Sequence, residues 1–357
     1  MADFRYIPKK QLFDCSVELP GARKFFVWDG VPEGLPFREV EPLDCSVNFD
    51  IDTRVQNISY SPGEAFNSKA AVISPREGEI TQVITVRVSP AALNARTVVD
   101  CPEGGKYSVL LCCHTVGQER FSTKEQIEIH VNRGASLDLV VMQNENSLSR
   151  HSSDYRIRLE EEASLSLNIV TIHAGNVSNR IHSLIAGKKA VCNLNGLYLA
   201  DGQQIVDTDV VLVHNAQESV SRQLFKGILD DNSRSRFTGE VVVSPAAQKT
   251  EAYQANNNLL IADSARASSD PHLVIYADDV KCSHGSTAGS VGDAELFYMR
   301  SRGISEKEAR ILQQQAFAGA VLEKVSHPQL RERLACLVEK RLRGEDTLCA
   351  GCSKGCC

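Results

Sequence analysis

Three near-copies of one short pattern constrain the fold of this chain more than any other feature. Gly134-Ala135-Ser136-Leu137-Asp138-Leu139, Glu162-Ala163-Ser164-Leu165-Ser166-Leu167 and Lys189-Ala190-Val191-Cys192-Asn193-Leu194 follow one another at spacings of 28 and then 27 residues. Each copy alternates apolar and polar side chains, the period of a strand with one buried face. A strand returning at such a spacing predicts coils stacked on one another, each supplying the apolar surface its neighbour buries. A β-sandwich with regular strand spacing is the competing architecture. The strand reading starts at Gln82 and continues through segments such as SVLLCC, QIEIHV, IVDTDVVLVHN and HLVIYADD. Residues 1 to about 70 are rich in Pro and Gly with short apolar stretches such as Lys24-Phe25-Phe26-Val27-Trp28 before the turn Asp29-Gly30, which predicts small hairpins or irregular structure.

Beyond Tyr298 the period changes. Ser305 with Glu308 three residues on is a capping box, opening a helix whose Ala309, Leu312, Ala316 and Ala320 share a stripe beside Phe317, Val321 and Val325. Pro328 sits in the first turn of a second helix carrying Leu330, Leu334, Leu337, Val338 and Leu342, and Gly344 is placed to stop it. The expected chain is mainly β. It has an irregular or β segment over 1–75, a parallel coil core over 76–300, a C-terminal helical hairpin over 301–344 and a cysteine-rich tail over 345–357.

Charge and motif content remove several functions. With 39 basic against 45 acidic residues the net charge is -6, so the broad positive footprint of a nucleic-acid binder is missing. No run approaches the ~20 apolar residues of a membrane span, and the first residues contain no apolar run of signal-peptide length. The expectation is a cytoplasmic protein with its 12 cysteines mostly as thiols. No GxxxxGK(S/T) loop, GxGxxG turn or GxSxG elbow occurs, and none of the 9 histidines forms an HxxxH pair.

Three constellations could carry chemistry. The pairs Asp207 and Asp209, Asp230 and Asp231, and Asp278 and Asp279 could align on one solenoid face and, with His284 nearby, cleave glycosidic bonds. Turn formation is the commoner use of such aspartates, and a single Trp leaves few aromatic platforms for sugar. The tail residues Cys349, Cys352, Cys356 and Cys357 put four thiols in a short tract, suited to iron–sulfur, zinc or copper(I), or to nothing beyond a flexible end. Cys282 and His284, two apart on an expected strand, point to the same side. They are either two ligands of an incomplete metal site or a buried thiol and a hydrogen-bonded imidazole.

The residues around that pair carry a family resemblance. Tyr276-Ala-Asp-Asp-Val-Lys-Cys282-Ser-His284-Gly-Ser-Thr, preceded by NNNLLI at 256–261 and followed by Leu296-Phe-Tyr-Met-Arg-Ser-Arg-Gly-Ile304, resembles the C-terminal core of the SufB/SufD family of iron–sulfur cluster assembly proteins. Asp207-Thr208, His214-Asn215, Ser221 through Gly227 and Asn232 through Gly239 fit the same family, so the resemblance is strong from about 200 to 320 and fainter back to about 80. It implies a right-handed parallel β-helix with a C-terminal helical region. It also implies a non-enzymatic scaffold in which SufB and SufD pair through their β-helices and each helical region docks a SufC ATPase. Iron or a nascent cluster is then held transiently at the shared interface, with a homodimer as the assembly available to a chain alone.

Details favour the SufD side. SufB-like chains are longer, carry a cysteine near the strand that here reads Asn256-Asn257-Asn258-Leu259-Leu260, and flank the matching histidine with glutamates. Here Ser283 and Gly285 flank it in the SufD-type pattern KCSHG. Cys282 and His284 take the family positions, and His284 is the implied ligand at the SufB interface. Most of the helical N-terminal portion of longer SufD-like chains has no counterpart, and the cysteine-rich tail lies outside the family pattern.

Overall fold

The computed structural model describes residues 15, 17, 19–51, 54–58, 68–345, 347 and 348. The four tail cysteines lie outside the described residues. Alternating segments fold as successive strands that swap between a ten-stranded and a nine-stranded sheet. Ser136–Asn144 lies in the first sheet, Arg150–Leu159 in the second, and Ser164–His173 in the first again. Each coil thus gives one strand to each sheet, and neighbouring coils pair in parallel. The result is a β-solenoid, and a sandwich of antiparallel sheets is excluded.

The repeat read from the sequence is one coil. Leu137 pairs with Leu165 and Leu165 with Cys192, while Leu139, Leu167 and Leu194 form the next inward column. All six are buried between the two sheets. Burial of each such leucine contributes ~1.5–3 kcal/mol. The corner leading into each of these strands follows a rule too. Gly134, Glu162, Lys189, Glu218 and Lys249 have φ of 63, 57, 58, 60 and 60°, and the residue after each, Ala135, Ala163, Ala190, Ser219 or Thr250, is small and 0% exposed. The left-handed residue turns the chain sharply, and the small residue lets the next coil close. Four of the five corners accept the cost of ~1–2 kcal/mol that a non-glycine incurs there.

The N-terminal region contains the expected hairpins. Arg23–Trp28 pairs antiparallel with Val31–Glu33 and also in parallel with Ile80–Arg87, which adds it to the ten-stranded sheet. Three helices follow the strands, one more than the sequence reading: α1 (Asp293–Ser301), α2 (Glu306–Leu322) and α3 (Pro328–Leu342). The last strand ends at Gly289. The apolar run Leu296-Phe297-Tyr298 is helical because Asp293 and Glu295 at its start and Arg300 at its end suit the helix dipole.

The N-cap half of the capping box forms, with Ser305 Oγ accepting from the Glu308 amide at 3.3 Å, while the Glu308 carboxylate accepts from Arg343 instead. The stripe read for α2 is buried as expected at Ala309, Val321 and Val325 and is rotated between them. Leu312 and Ala316 are exposed, and Ile311, Gln314, Ala318, Val321 and Leu322 are buried. This follows from what α2 packs on. Ala318, Val321, Leu322 and the α3 residues Leu330, Leu334, Leu337 and Val338 share one apolar cluster with Leu110, Met142, Val170, Ile172, Leu197 and Leu199 on the outer face of the ten-stranded sheet. The helices are therefore a covering layer on the solenoid. Ser326 donates to Asp138, and Lys226 Nζ donates to the Phe317 carbonyl at 3.2 Å, fixing that layer in place. Among the described residues no helix is long and apolar enough to cross a membrane.

Candidate functional site

The last coil is built from Arg266–Ile275 and Val280–Gly289, which terminate the nine-stranded and ten-stranded sheets at the same end of the solenoid. Among the described residues each pairs with a strand on one side only, so this end presents open backbone edges, the arrangement through which strands add to one another. Approaching it, the inward columns change character. The column that runs Leu139, Leu167, Leu194 continues as Gln223, Gln254 and His284. The neighbouring column runs Phe225, Asn256 and Ser286, and the one beyond it Gly227, Asn258 and Ala288.

These polar side chains bond one another within and between coils, while Gln223 Nε2, Gln254 Oε1 and Asn256 Nδ2 stay buried with no hydrogen-bond partner among the described residues. Gln254 Nε2 donates to Gln223 Oε1 at 3.1 Å, Asn258 Nδ2 to Asn256 Oδ1 at 2.8 Å, and the Tyr198 hydroxyl to Asn258 Oδ1 at 2.6 Å. The solenoid thus ends in an amide-lined interior instead of an apolar plug. Cys282 is half-buried against the edge of the core beside Ala252, and burial pushes its thiol pKa up. His284 follows on the same side of the strand and is exposed. The two sit together as the sequence implied, and among the described residues no third Cys, His, Asp or Glu completes a metal-ligand group with them.

The aspartate pairs are not brought together. Asp207 and Asp209 lie on Ile205–His214 with Arg236 near both, at 3.7 and 3.8 Å. Asp230 and Asp231 form the corner after Val220–Leu229, and Asp278 and Asp279 the corner before Val280–Gly289.

Two clusters escaped the sequence reading. On the outer face of strand Lys106–Thr115, Cys112 and His114 meet Cys15, whose Sγ is 3.5 Å from His114 Nε2. The hydrogen bond from the Cys112 thiol, aided by His114 and opposed by burial, lowers the Cys15 pKa to about 5. Gln82 Nε2 faces both sulfurs at 3.9 and 3.7 Å. On the inner face of the same strand, Cys113 meets Glu125 and His151. Burial works against charge on His151, but Glu145 and Glu125 outweigh it and raise its pKa to about 10. The run Cys112-Cys113-His114 was visible as a sequence signal, but alternation sends its members to opposite faces and their partners come from distant segments.

Comparison with known proteins agrees with this architecture. The family model described as "SUF system FeS cluster assembly, SufBD core domain" matches residues 84–317. The iron–sulfur cluster assembly protein SufD of Escherichia coli is 32% identical over 246 residues, 69% of this chain and 58% of that protein. An iron–sulfur cluster assembly SufBD family protein of Synechocystis is 30% identical over 230 residues, 64% of this chain and 51% of its own length. A chloroplastic protein of Arabidopsis thaliana, ABCI7, is 29% identical over 244 residues, 67% of this chain and 51% of its own. The chain therefore spans between half and three-fifths of the length of these relatives. The matched region takes in every coil from Thr85 to the exposed His284 and reaches into α2, and on that evidence this chain belongs to the SufBD family of iron–sulfur cluster assembly proteins.

Proposed function

We propose that this chain is a non-enzymatic, SufD-like scaffold subunit of a cytoplasmic SUF assembly complex. It pairs through the open end of its solenoid with a SufB-like subunit, and iron or a nascent cluster is the cargo handled at the shared edge. His284 supplies one ligand through a neutral imidazole nitrogen, Cys282 lies beside it as a lesser contributor, and the partner provides the remaining thiolate and carboxylate ligands. The observation that carries this reading is the terminal coil. An exposed imidazole continues a buried amide column at an unpaired sheet edge, so a second edge laid against it would enclose His284 without either chain refolding.

A second surface supports docking of a SufC-like ATPase by the helical layer. Phe297 and Tyr298 on α1 are 75% and 59% exposed and Leu312 on α2 37%, large apolar side chains that a monomer gains nothing by displaying in a group. The cysteine-rich tail is accessory in this account, a thiolate-rich appendage that metal would itself have to order. Co-expression with SufB-like and SufC-like chains tests the reading. A stable ternary complex is the expected product, and a chain that purifies alone under those conditions would overturn it. Turnover of a polysaccharide by the isolated chain would favour the aspartate-based alternative.

A further inference from the structure

Near the other end of the solenoid, the interior between the two sheets holds a group of donors that no cluster-handling role at His284 requires. Cys113 reaches in from Lys106–Thr115, Glu125 from Ser122–Val131 in the facing sheet, and His151 from Arg150–Leu159, the next strand of that sheet. Thr123 pairs with His151 in the ladder, so Glu125 and His151 stand on adjacent inward positions. All three are buried, and one ligand atom from each lies within 4.8 Å of the others.

The individual distances describe a site that is nearly closed. Cys113 Sγ is 4.0 Å from Glu125 Oε2, and Glu125 Oε2 is 3.7 Å from His151 Nε2. A tetrahedron with metal bonds of ~2.0–2.3 Å has edges of ~3.3–3.8 Å; the Glu125–His151 edge already has that length, the Cys113–Glu125 edge exceeds it slightly, and the Cys113–His151 edge is within 4.8 Å. His151 Nε2 is buried and, among the described residues, has no hydrogen-bond partner, its nearest carboxylate being Glu125 at 3.7 Å. On the opposite side of the ring, Nδ1 is 3.0 Å from Glu145 Oε1, the carboxylate–imidazole arrangement that orients a metal-ligating histidine.

Space and charge point the same way. A cavity of about 50 Å³ that extends toward Val27 and Leu93 includes Cys113, Glu125, Glu145 and His151 in its lining, so the donors border open space large enough to admit a water molecule, whose share of liquid volume is ~30 Å³. Two buried arginines line the same cavity: Arg96 is held by Glu128, and Arg87 directs its nitrogens to Asp29, to the Ser89 and Ser122 carbonyls and to Thr123 Oγ1, with no hydrogen bond to Glu125 or Glu145. A thiol, an imidazole and a carboxylate form a mixed donor set that suits borderline first-row divalent ions and is poor for magnesium or calcium.

We propose that Cys113, Glu125 and His151 bind one divalent first-row transition-metal ion inside the solenoid, with Glu145 positioning His151 from outside the coordination shell. The ion ties the two sheets together at the coils nearest the N-terminal hairpin. This inference does not depend on the function proposed for the opposite end.

The test uses the full-length chain with Cys349, Cys352, Cys356 and Cys357 changed to Ser, which removes competing tail thiolates, and Co²⁺ or Zn²⁺ as the sole added metal. One equivalent of Co²⁺ should give a thiolate-to-metal charge-transfer band that Zn²⁺ displaces, and Zn²⁺ should raise the melting temperature. Cys113→Ser should abolish the band. Glu145→Gln should weaken Zn²⁺ binding about 10-fold or more, the usual loss when an orienting carboxylate is removed. Glu125→Gln preserves size and hydrogen bonding, so a loss of Zn²⁺ stabilisation with cooperative melting retained separates metal binding from folding. A band that survives Cys113→Ser and disappears with Cys112→Ser would place the metal in the outward cluster and overturn the proposal. Absence of stoichiometric binding would overturn it as well and leave the group a buried ion-pair network.

Discussion

His284 and Gln254 are paired neighbours in the parallel register of the last two strands of the ten-stranded sheet, yet Gln254 is 3% exposed and His284 stands open to solvent. The difference arises because Gln254 has a coil above it and His284 does not. Replacing His284 by Ala should therefore change unfolding free energy by less than ~0.5 kcal/mol, as for other surface positions. Gln254→Ala removes the donor that Gln223 Oε1 accepts from and should cost about 1–2 kcal/mol. Denaturant titration of the two variants checks both values, and equal effects would mean that the terminal column is not organised as described.

Buried His214 gives a pH signature. Its Nδ1 is 2.7 Å from Ser219 Oγ and its Nε2 2.8 Å from Ser221 Oγ, and burial lowers its pKa to about 3. Below the unfolded value of ~6.5 the unfolded chain takes up a proton that the folded chain refuses. The His214 contribution is thus fully present above that pH and falls by ~1.4 kcal/mol per unit as pH drops toward the folded value. Unfolding free energy measured between pH 6 and 4 should decline less steeply in His214→Gln than in the unaltered protein. Identical slopes would mean that the ring is protonated in place.

Coil stacking is sensitive at Gly187. A Cβ there would lie 1.9 Å from the Glu161 amide nitrogen and 2.1 Å from the Glu160 carbonyl carbon, main-chain atoms of the preceding corner that cannot swing aside. Gly187→Ala should destabilise by about 2 kcal/mol or more. Gly202→Ala has no atom within 4 Å to meet, and its cost should be limited to the strain of a positive φ, ~1–2 kcal/mol. Thermal melts of the pair check this ordering.

Much of this architecture was legible because a solenoid writes its geometry into the chain. The spacing from Ala135 to Ala163 to Ala190 is the coil itself, and the alternation within each copy marks the columns that the ladder brings together. Cys282 and His284 could be placed on one strand side by the same period of two. What alternation cannot give is the distance between columns from different sheets. Cys113, Glu125 and His151 converge only because the two sheets face each other across the interior, and Cys15 reaches His114 across a separation of 99 residues. The α2 stripe was right at Ala309, Val321 and Val325 and misplaced at Leu312 and Ala316 for a related reason. Helical period identifies sets of residues sharing a face, and the sheet beneath decides which set is buried, here Ile311 and Ala318 ahead of Leu312 and Ala316.

The exposed helical apolar residues yield a partner test. Phe297→Asp with Tyr298→Asp should leave the melting temperature unchanged within a degree or two, since both side chains are solvent-facing, while lowering affinity for a SufC-like ATPase at least 10-fold, the loss of about 1.4 kcal/mol. Titration calorimetry with the purified ATPase measures it. Undiminished binding would move the docking surface away from α1.

The central claim is that the open coil edge shares cargo with a sibling subunit through His284. The most direct measurement is the iron and acid-labile sulfide content of a reconstituted complex containing this chain with SufB-like and SufC-like partners, unaltered or carrying His284→Ala. The account predicts that the variant complex assembles with normal subunit stoichiometry but holds less iron and sulfide, with Cys282→Ser giving a smaller or comparable defect. A His284→Ala complex that accumulates clusters at the normal rate and to the normal level would contradict it.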